Sequence, residues 1–473
     1  MSTKVQIFLL VLLVLIQLCL TGWYVYYHKT TWTRDILQAY YIDSQRFSFT
    51  LSPYGPGFEK ELLSLFSSRT RMSVELTRVD DFEQGLQKVQ TGQAQVFIPG
   101  PLVPDKVWPD TVRGPGYLEG RLVVAHNKRR YGLNSLNDLC QAQVVIPDSE
   151  FFSENRLFFE RDLECSMQVH LSINNGQELF QLLSNRMFRF GLVDELNYDV
   201  WHAFYPEVLK TYTFDFHYEF SWIWGARHKN IHDQLSGFWA EMQDSEYLHC
   251  LADKYFGFFP ETEDAYQLRH FFRAIDRHLP DFAEDVLIAA QKYRLDPLLL
   301  IALIYQESHF DPYAESRTGV RGLLQITADT AEFLGVANRL DPAQSIMGGA
   351  KYLRFLADKV HEQGVRGWDK WFLTLAAYNQ GLGHLYDAME LSERQGKTGK
   401  KWCILKEVYP LLSYTRYYET LPRGYARGFE AVTFVENIRY YYYLLYGMAS
   451  LSWPEAEDLG RLLGSVPAGW PDI

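Results

Sequence analysis

The chain has 473 residues, which is too long for a single ordinary hydrophobic core, so two or three domains are expected. The formal net charge is -12 and no long basic cluster is present, which argues against nucleic acid as a partner because phosphate binding needs clustered lysine and arginine. Aromatic residues make up 16% of the chain, a share that suits sugar binding but is equally typical of large cores.

The chain begins with a long apolar segment that carries no charged residue between positions 5 and 27. Such a segment is long enough to cross the roughly 30 Å hydrocarbon core of a bilayer, and the aromatic residues at 23–27 are typical of a membrane interface. We therefore predict a membrane signal anchor over residues 1–28. A buried core helix and a cleaved signal peptide are the alternatives, although no clear small-x-small cleavage site follows the segment.

A module of mixed character is predicted at residues 45–260, after a short connector at 28–45. Short β-rich runs alternate in it with amphipathic helical stretches, which is the pattern of an α/β fold. The first strand is predicted at 47–51 and the first helix at 58–66. The alternation continues through strands at 72–76, 121–125, 142–146 and 190–193 and a helix at 81–92.

The cysteines have no metal-type spacing, so neither a metal site nor a cofactor is predicted. Cys140 and Cys165 each lie just before a predicted strand, at 143–146 and 168–171. If those strands are parallel neighbours, both thiols lie at the same end of the sheet and could pair in an oxidising compartment. Two unpaired, half-buried thiols are the alternative at this point.

Several pieces of the module resemble the family 3 bacterial solute-binding proteins. The matching pieces are Tyr117 with the run at 121–127, the Leu-Asn-Asp-Leu at 136–139, the segment at 178–194 and the stretch at 235–257. The resemblance implies two α/β lobes with a ligand cleft between them. It also implies an inner lobe at roughly 121–210 that interrupts the outer lobe.

The same resemblance indicates two ligand-binding residues. Amino-acid binders of that family usually place an arginine about eleven residues before the Pro-Tyr at the lobe crossover, whereas here that place falls near Lys106, which cannot make the planar two-pronged contact to a carboxylate. We therefore expect a ligand other than a free amino acid. Asp194 matches the family's ammonium-facing aspartate by position, and a surface aspartate in a βα turn is the alternative.

The remainder of the chain, a domain at 261–453, is predicted to be mainly helical. Amphipathic helices are expected at 266–278 and 281–293, with Pro280 as the break between them. Asp-Pro pairs at 296–297 and 341–342 predict two further helix starts, because proline is tolerated in the first turn. Additional helices are predicted at 371–378 and 434–446.

A single acid, Glu307, stands at the end of the apolar run at 298–304. Burial of a carboxyl group disfavours its charged form, so this environment would keep the acid protonated near neutral pH and ready to donate a proton. Asp311 and Glu315 are nearby acids that remain open as alternatives.

Four pieces of the helical domain resemble, in order, the lytic transglycosylases of the lysozyme-like superfamily, which cut bacterial peptidoglycan. The pieces are Glu307-Ser308 and the segments at 319–325, 376–381 and 424–438. The resemblance implies that Glu307 is the general acid for the MurNAc-GlcNAc β-1,4 bond. Two-carboxylate glycosidases use a second acid for water or for attack on the sugar. No such acid stands in a family-like position here, which implies a non-hydrolytic reaction that gives 1,6-anhydromuropeptides.

Substrate-binding roles also follow from this resemblance. Ser308 would contact the substrate's acetamido group or orient the acid, with a plain helix-end hydroxyl as the alternative. Gln325 would bridge polar groups of the sugar, and Tyr378 and Asn379 would close the cleft from another helix. Tyr378 is also a candidate partner for the acid, with simple core packing as the alternative. Related enzymes often have tyrosine where Phe434 stands, so that phenol contact to the acid is missing here.

The whole chain is thus predicted to be multidomain: an N-terminal membrane helix, a two-lobed α/β periplasmic-binding-protein-like module and a mainly α lysozyme-like domain. The resemblances imply peptidoglycan glycan strands as substrate. We expect a cell-wall muropeptide as ligand of the module, because such a fragment reports cleavage and is present in the same compartment. The resemblances also imply a membrane-anchored location in the cell envelope with the catalytic domain in the periplasm. The competing functions are a lysozyme-like hydrolase and a ligand sensor whose transglycosylase-like domain only anchors peptidoglycan.

Overall fold

The computed structural model describes Gln17, Thr21 and residues 36–43, 49–102, 106–147, 163, 165–172, 176–227, 229–243, 245–260, 264–316, 319–451 and 457–473. The predicted anchor at 1–28 therefore lies outside the described residues, except for Gln17 and Thr21. No helix within the described ranges is long and apolar enough to span a bilayer.

The N-terminal module is built on two β-sheets flanked by helices. Its strands are β1 (Ile36–Ile42), β2 (Ser73–Val79), β3 (Val96–Ile98), β4 (Pro101–Leu102), β5 (Thr111–Arg113), β6 (Leu118–Asn127), β7 (Gln143–Pro147), β8 (Gln168–Ser172), β9 (Phe190–Asp194), β10 (Val208–Phe220) and β11 (Ile223–Gly225). Its helices are α1 (Phe58–Thr70), α2 (Phe82–Gln90), α3 (Gly176–Ser184), α4 (Glu195–His202), α5 (Lys229–Gln243) and α6 (Tyr247–Phe256).

The strand order shows how the two lobes are connected. One sheet runs β2-β1-β3-β11-β5 and the other runs β4-β10-β6-β9-β7-β8. Strands β6 to β10 come between β5 and β11 in the chain, so the second sheet, apart from its short edge strand β4, belongs to an inner lobe that interrupts the outer one. The predicted two-lobed arrangement is therefore confirmed, and the inserted strands extend over 118–220 rather than 121–210.

The start of the module differs from the prediction. Strand β1 lies at 36–42, inside the stretch predicted to be a connector, and it pairs in parallel with both β2 and β3. The predicted first strand at 47–51 is wrong over its described part, because residues 50 and 51 form a turn. Phe49 and Leu51 are apolar because that turn is buried, whereas β1 is stabilised by pairing with strands distant in sequence.

Of the two alternatives left open for Cys140 and Cys165, the structure shows the disulfide. Strands β7 and β8 are parallel, and Gln143 lies in register with Gln168, so the residues that precede them meet at one end of the sheet. The unpaired alternative is thereby excluded. A second disulfide, Cys250–Cys403, had no signal in the sequence, because its cysteines are 153 positions apart. It joins the module to the helical domain.

The C-terminal part is helical, as predicted. Its helices are α7 (Ala265–Tyr293), α8 (Pro297–Ser308), α9 (Ala328–Leu334), α10 (Pro342–Glu362), α11 (Gly367–Gln380), α12 (Leu382–Arg394), α13 (Trp402–Val408), α14 (Thr415–Tyr418), α15 (Gly428–Ser450) and α16 (Glu457–Leu463). Both predicted Asp-Pro helix starts are confirmed: Asp296 accepts hydrogen bonds from the backbone N–H groups of residues 298 and 299, and Asp341 accepts one from that of residue 344.

The predicted helix break at Pro280 is wrong, because α7 runs without interruption from 265 to 293 with the proline inside it. An interior proline costs about 3 kcal/mol in a helix. Apolar side chains of α7 are buried on both sides of that position, including Phe271, Leu279 and Val286. The burial of this long face against α8 and α10 offsets the local cost.

The module and the helical domain share a buried ionic and aromatic interface. Arg439 of α15 is 1% exposed and pairs with Asp253 of α6 at 3.2 Å and with Glu436 at 2.8 Å. The hydroxyl of Tyr54, which precedes α1, donates a hydrogen bond to the Arg439 carbonyl oxygen at 2.6 Å. The outer lobe is therefore fixed to α15 by buried polar contacts as well as by the disulfide.

Candidate active site

Helix α8 carries Glu307 in its last turn. The helix is buried on all sides from 297 to 305, as expected for a run that is apolar all round. It ends because His309 and Phe310 adopt left-handed backbone conformations, with φ values of 50° and 66°. This abrupt end places Glu307 at the border between the core and the loop that follows.

Burial raises the pKa of the Glu307 carboxyl group to about 8. Among the described residues, none donates a hydrogen bond to this carboxyl group and none forms an ion pair with it, so nothing offsets the loss of water. The acid is therefore largely protonated at neutral pH. This agrees with the prediction made from the apolar run that precedes it.

The two alternative acids have different surroundings. Asp311 is exposed and accepts a hydrogen bond from the backbone N–H of Tyr313 at 2.9 Å. Glu315 is exposed and forms an ion pair with Arg321 at 2.6 Å. Neither residue therefore shares the surroundings of Glu307, which is largely buried and has no partner among the described residues.

Tyr378 reaches the site from the last turn of α11. Its hydroxyl group donates a hydrogen bond to the Leu324 carbonyl oxygen at 2.8 Å. Burial raises the pKa of Tyr378, and the nearby charge of Glu307 raises it further, so the phenol is protonated and the two groups are electrostatic neighbours. Tyr378 thus links α11 to the loop at 319–325 beside the acid.

Gln325 folds that loop. Its side-chain Nε2 donates to the carbonyl oxygens of Ala314 at 3.0 Å and Gly322 at 2.8 Å. Gly322 has φ +82°, and a Cβ there would lie 1.9 Å from the Arg339 carbonyl oxygen, so only glycine fits. The amide nitrogen of Gln325 is therefore engaged within the loop, and its carbonyl oxygen is the atom that remains for a ligand.

The other predicted residues have simpler surroundings. The Ser308 hydroxyl donates to the Ile304 carbonyl oxygen at 3.1 Å, one turn back in α8. Asn379 is exposed, and its Oδ1 accepts a hydrogen bond from Gln380 Nε2 at 2.7 Å. Phe434 is 5% exposed in α15 and has no hydrogen-bonding group.

The structure adds a cluster of rings that sequence reasoning missed. The Tyr305 hydroxyl lies within hydrogen-bonding distance of His270 Nδ1, at 3.0 Å, and burial raises the pKa of Tyr305. The His309 ring lies 4.8 Å from the Tyr305 ring and 5.6 Å from the His270 ring. Tyr305 and His309 flank Glu307 in sequence. His270 had no local signal, because it comes from α7.

In the module, Asp194 is a helix cap rather than a surface residue. It is 3% exposed at the N-terminus of α4 and accepts hydrogen bonds from Asn197 through the backbone N–H at 3.1 Å and Nδ2 at 2.5 Å. The Tyr218 hydroxyl donates to it at 3.3 Å. The surface-aspartate alternative is thus excluded. An ammonium ligand would have to share the carboxylate with these donors.

Lys106 lies close to Arg113, an arginine that was not among the predicted ligand-binding residues. The Lys106 Nζ is 5.5 Å from the centroid of the Trp108 ring, and its carbonyl oxygen accepts a hydrogen bond from Arg113 at 3.2 Å. The Arg113 side chain is 7% exposed and pairs with Glu219 at 2.8 Å. Arg113 lies at the lobe crossover, but it is closer to Tyr117 than the arginine that amino-acid binders usually place about eleven residues before that point. Its charge is balanced by Glu219 within the protein.

Comparison with known proteins places the site within a described domain. Residues 285–401 match the family model of the Transglycosylase SLT domain. This match includes α8 with Glu307, the loop at 319–325 and α11 with Tyr378.

Three relatives match most of this chain, and each is named membrane-bound lytic murein transglycosylase F. The protein of Hahella chejuensis is 31% identical, with 90% of this chain and 82% of the relative covered. That of Vibrio cholerae is 31% identical, with 85% and 77% covered. That of Shewanella woodyi is 32% identical, with 82% and 80% covered.

Solved structures match about half of this chain. An ancestral arginine-binding protein bound to arginine is 17% identical with a TM-score of 0.40, and the match covers 47% of this chain and 99% of that one. The GluR0 ligand-binding core in complex with L-glutamate is 12% identical with a TM-score of 0.40, again over 47% and 99%.

Proposed function

Because this chain belongs to the family of the membrane-bound lytic murein transglycosylases F, we propose that it cleaves the MurNAc-GlcNAc β-1,4 bond of peptidoglycan through Glu307 without using water. The protein is a lytic murein transglycosylase of the cell envelope with a solute-binding-like module. The observation that carries the mechanism is the Glu307 carboxyl group, whose pKa burial raises to about 8 without any partner among the described residues.

The first step uses the protonated acid. Glu307 donates its proton to the glycosidic oxygen as the bond from that oxygen to the muramyl C1 breaks, and GlcNAc leaves as an alcohol. Positive charge then develops at C1, and Glu307, which is now a carboxylate, lies next to the reacting sugar.

The second step uses the same group as a base. The Glu307 carboxylate removes the proton of the muramyl C6 hydroxyl, and O6 forms a bond to C1, which gives the 1,6-anhydro sugar. Protons balance over the cycle, because the acid regains the proton that it donated. A single carboxyl group is sufficient, which is consistent with the exposed, hydrated or paired states of Asp311 and Glu315.

The residues around the acid would bind and orient the sugar. We infer that Gln325 offers its side-chain carbonyl oxygen to a sugar N–H or hydroxyl group, since its Nε2 is engaged within the loop. Tyr378 positions the loop through the Leu324 carbonyl oxygen. Ser308 and Asn379 are proposed as further substrate contacts. Ser308 can turn its hydroxyl from the helix carbonyl to the acetamido group with little loss.

For the module, we propose a cell-wall peptide as ligand, with Lys106 facing an acidic group and Asp194 facing an amino group. Helix α15 supports a mechanical link to the active site. The Tyr443 ring lies 5.9 Å from the Phe49 ring of the outer lobe, and its hydroxyl donates to the Val200 carbonyl oxygen of the inner lobe at 2.9 Å. Because α15 also packs on α8, a movement of the lobes would be transmitted to the helix that carries Glu307. The size of this effect is set by how much more tightly the ligand binds one arrangement of the lobes than the other.

For location, we propose that residues 1–28 anchor the protein in a membrane with the catalytic domain in the periplasm, where peptidoglycan lies. N-terminal sequencing of the purified mature protein tests the anchor. A mature chain that begins after residue 22 would instead indicate a cleaved signal peptide.

Mass spectrometry of peptidoglycan digested by the purified protein tests the reaction. We expect 1,6-anhydromuropeptides, and none from the Glu307→Gln variant. Products with reducing MurNAc ends would indicate a lysozyme-like hydrolase. Peptidoglycan binding without any cleavage would indicate a sensor that uses the domain as an anchor.

A further inference from the structure

A cavity of about 270 Å³ lies between the module and the helical domain, apart from Glu307 and from the cleft between the lobes. Helices α1 and α6 line it on the module side, and α11 and the segment at 398–403 line it on the other side. Its apolar wall consists of Tyr247, Leu251, Trp368, Phe372, Trp402 and the Cys250–Cys403 disulfide. Neither domain alone provides this wall, and its rings can enclose a compact apolar group.

Most charged groups in the lining already have a partner inside the protein. Glu61 pairs with Lys254 at 2.7 Å, and Asp369 pairs with Lys401 at 2.8 Å. Asp253 belongs to the buried ionic interface described above. Both lysines of the lining are therefore balanced by carboxylates, so the cavity offers no unbalanced positive charge for an anion.

Two polar groups in the lining differ from the rest. Among the described residues, the Glu246 carboxylate has no hydrogen-bond or ion-pair partner, and the Tyr247 hydroxyl has no hydrogen-bond partner. They are adjacent at the start of α6, where the Glu246 side chain does not cap the helix. Burial and the nearby Glu61 raise the pKa of Tyr247 to about 12, so its phenol is neutral at physiological pH. The groups left for a ligand are thus one anion and one phenol.

We propose that this interdomain cavity binds a small organic cation, with a compact apolar or aromatic body against the apolar wall that includes Trp368 and an ammonium group at Glu246 and Tyr247. Aromatic rings and a carboxylate are the groups that recognise organic ammonium ions. Burial of the apolar body in the ring-lined wall supplies the rest of the affinity. The ligand would contact both domains at once, so the site exists only in the assembled chain.

Calorimetric titration of the whole protein with 2-phenylethylammonium tests the proposal. We expect a dissociation constant of about 1 mM, as suits a ligand of this size. Phenylacetate has the same ring with the opposite charge, and ethylammonium has the charge without the ring. Both should bind at least about tenfold more weakly if ring and charge are each required.

Variants place the binding in this cavity. Glu246→Gln should weaken 2-phenylethylammonium about three- to tenfold, because it removes the unpaired charge at an exposed position. Glu393→Gln removes an exposed carboxylate outside the lining and should leave the affinity unchanged. Thr398→Trp fills the cavity from an exposed loop and should abolish binding. Three results would each overturn the proposal. Phenylacetate could bind as tightly as 2-phenylethylammonium, or the Thr398→Trp variant could keep its affinity. The third is no binding of 2-phenylethylammonium at a concentration 20 times the expected dissociation constant, about 20 mM.

Discussion

Arg439 and Glu307 are both ionisable and buried, yet the protein treats their charges in opposite ways. Burial alone would lower the pKa of Arg439, but the carboxylates of Glu436 and Asp253 raise it above its ordinary value. The pKa of Asp253 is lowered because Arg439 and Lys406 outweigh its burial. Arg439 and Asp253 are each paired with opposite charges, so both stay ionised and hold the two domains together.

Glu307 is also largely withdrawn from water, although the residue stays partly exposed at the end of α8, and it lacks partners of this kind. Its pKa rises to about 8 because desolvation is not offset by any cation or donor among the described residues. The comparison shows that a buried ionisable group with a partner of opposite charge stays charged, whereas a buried carboxyl group without one keeps its proton. The first arrangement serves assembly and the second serves acid catalysis.

The largest effect is expected from removal of the stored proton. Glu307→Gln preserves the shape of the side chain but cannot donate, so kcat should fall by about 10²–10⁴-fold. Steady-state assays of anhydromuropeptide release measure this change, and circular dichroism checks that the fold is intact. If the variant kept more than half of the activity, another residue would be the acid.

Removal of the interface cation should be the largest change in stability. Arg439→Met leaves Asp253 and Glu436 with less compensation and should lower the free energy of unfolding by about 3–5 kcal/mol in urea titrations. Arg461 forms an exposed ion pair with Glu284, so Arg461→Met is a matched control that should change stability by at most about 1 kcal/mol. Equal effects of the two variants would show that burial does not distinguish these pairs.

The disulfide between the domains should contribute the next largest effect. Replacement of Cys250 and Cys403 by serine should lower the unfolding free energy by about 2–4 kcal/mol, because their link closes a long loop. The pair Cys140 and Cys165 closes a loop of 25 positions and serves as the comparison. A smaller loss at 250 and 403 than at 140 and 165 would mean that the buried ionic contacts hold the interface without the disulfide.

The pH dependence of activity should report the proton on Glu307. Only the protonated enzyme can begin the reaction, so kcat/KM should fall about tenfold for each pH unit above the Glu307 pKa of about 8. A profile with its alkaline limb centred near pH 5 would contradict the raised pKa.

The same pKa also links stability to pH. The unfolded carboxyl group loses its proton near its ordinary value of 4.5, whereas the folded one keeps it to about 8. The contribution of Glu307 to stability is therefore fully present below pH 4.5 and declines as pH rises toward 8. Urea titrations across this range should show a steeper decline for the wild type than for Glu307→Gln, and parallel curves would contradict the linkage.

The smallest effect is expected at Tyr378. Tyr378→Phe removes the hydrogen bond to the Leu324 carbonyl oxygen and should lower the unfolding free energy by about 0.5–1.5 kcal/mol. If Tyr378 also positions the active-site loop, kcat should fall while KM changes little. Tyr352→Phe is a useful comparison, because its ring packs against Tyr378 at 5.4 Å. An equal loss of kcat in both variants would show that the effect does not depend on the hydrogen bond to Leu324.

Local signals were sufficient for several features of this protein. The two Asp-Pro helix starts, the alternation of the α/β module and the desolvated acid after an apolar run each depend on residues within a few positions of one another. The sequence left the pairing of Cys140 and Cys165 open, because it could not show whether the two following strands are parallel neighbours; the structure shows that they are.

The failures have a common cause in tertiary contacts. Strand β1 was overlooked because its stability comes from pairing with β2 and β3. Helix α7 continues through Pro280 because a long buried face outweighs the local cost. At the site, the sequence made Tyr378 a candidate partner of the acid but could not show that its hydroxyl donates to the Leu324 carbonyl oxygen.

By itself, the sequence determined the order of the domains, the family and the buried acid, because motifs, caps and hydrophobic periodicity are properties of short segments. Only the tertiary structure decided which buried charges are paired. Arg439 meets Asp253 across 186 positions, and Cys250 meets Cys403 across 153. Whether a buried group stays charged depends on the partners that the fold brings within hydrogen-bonding distance, and for these groups the partners lie far away in the chain.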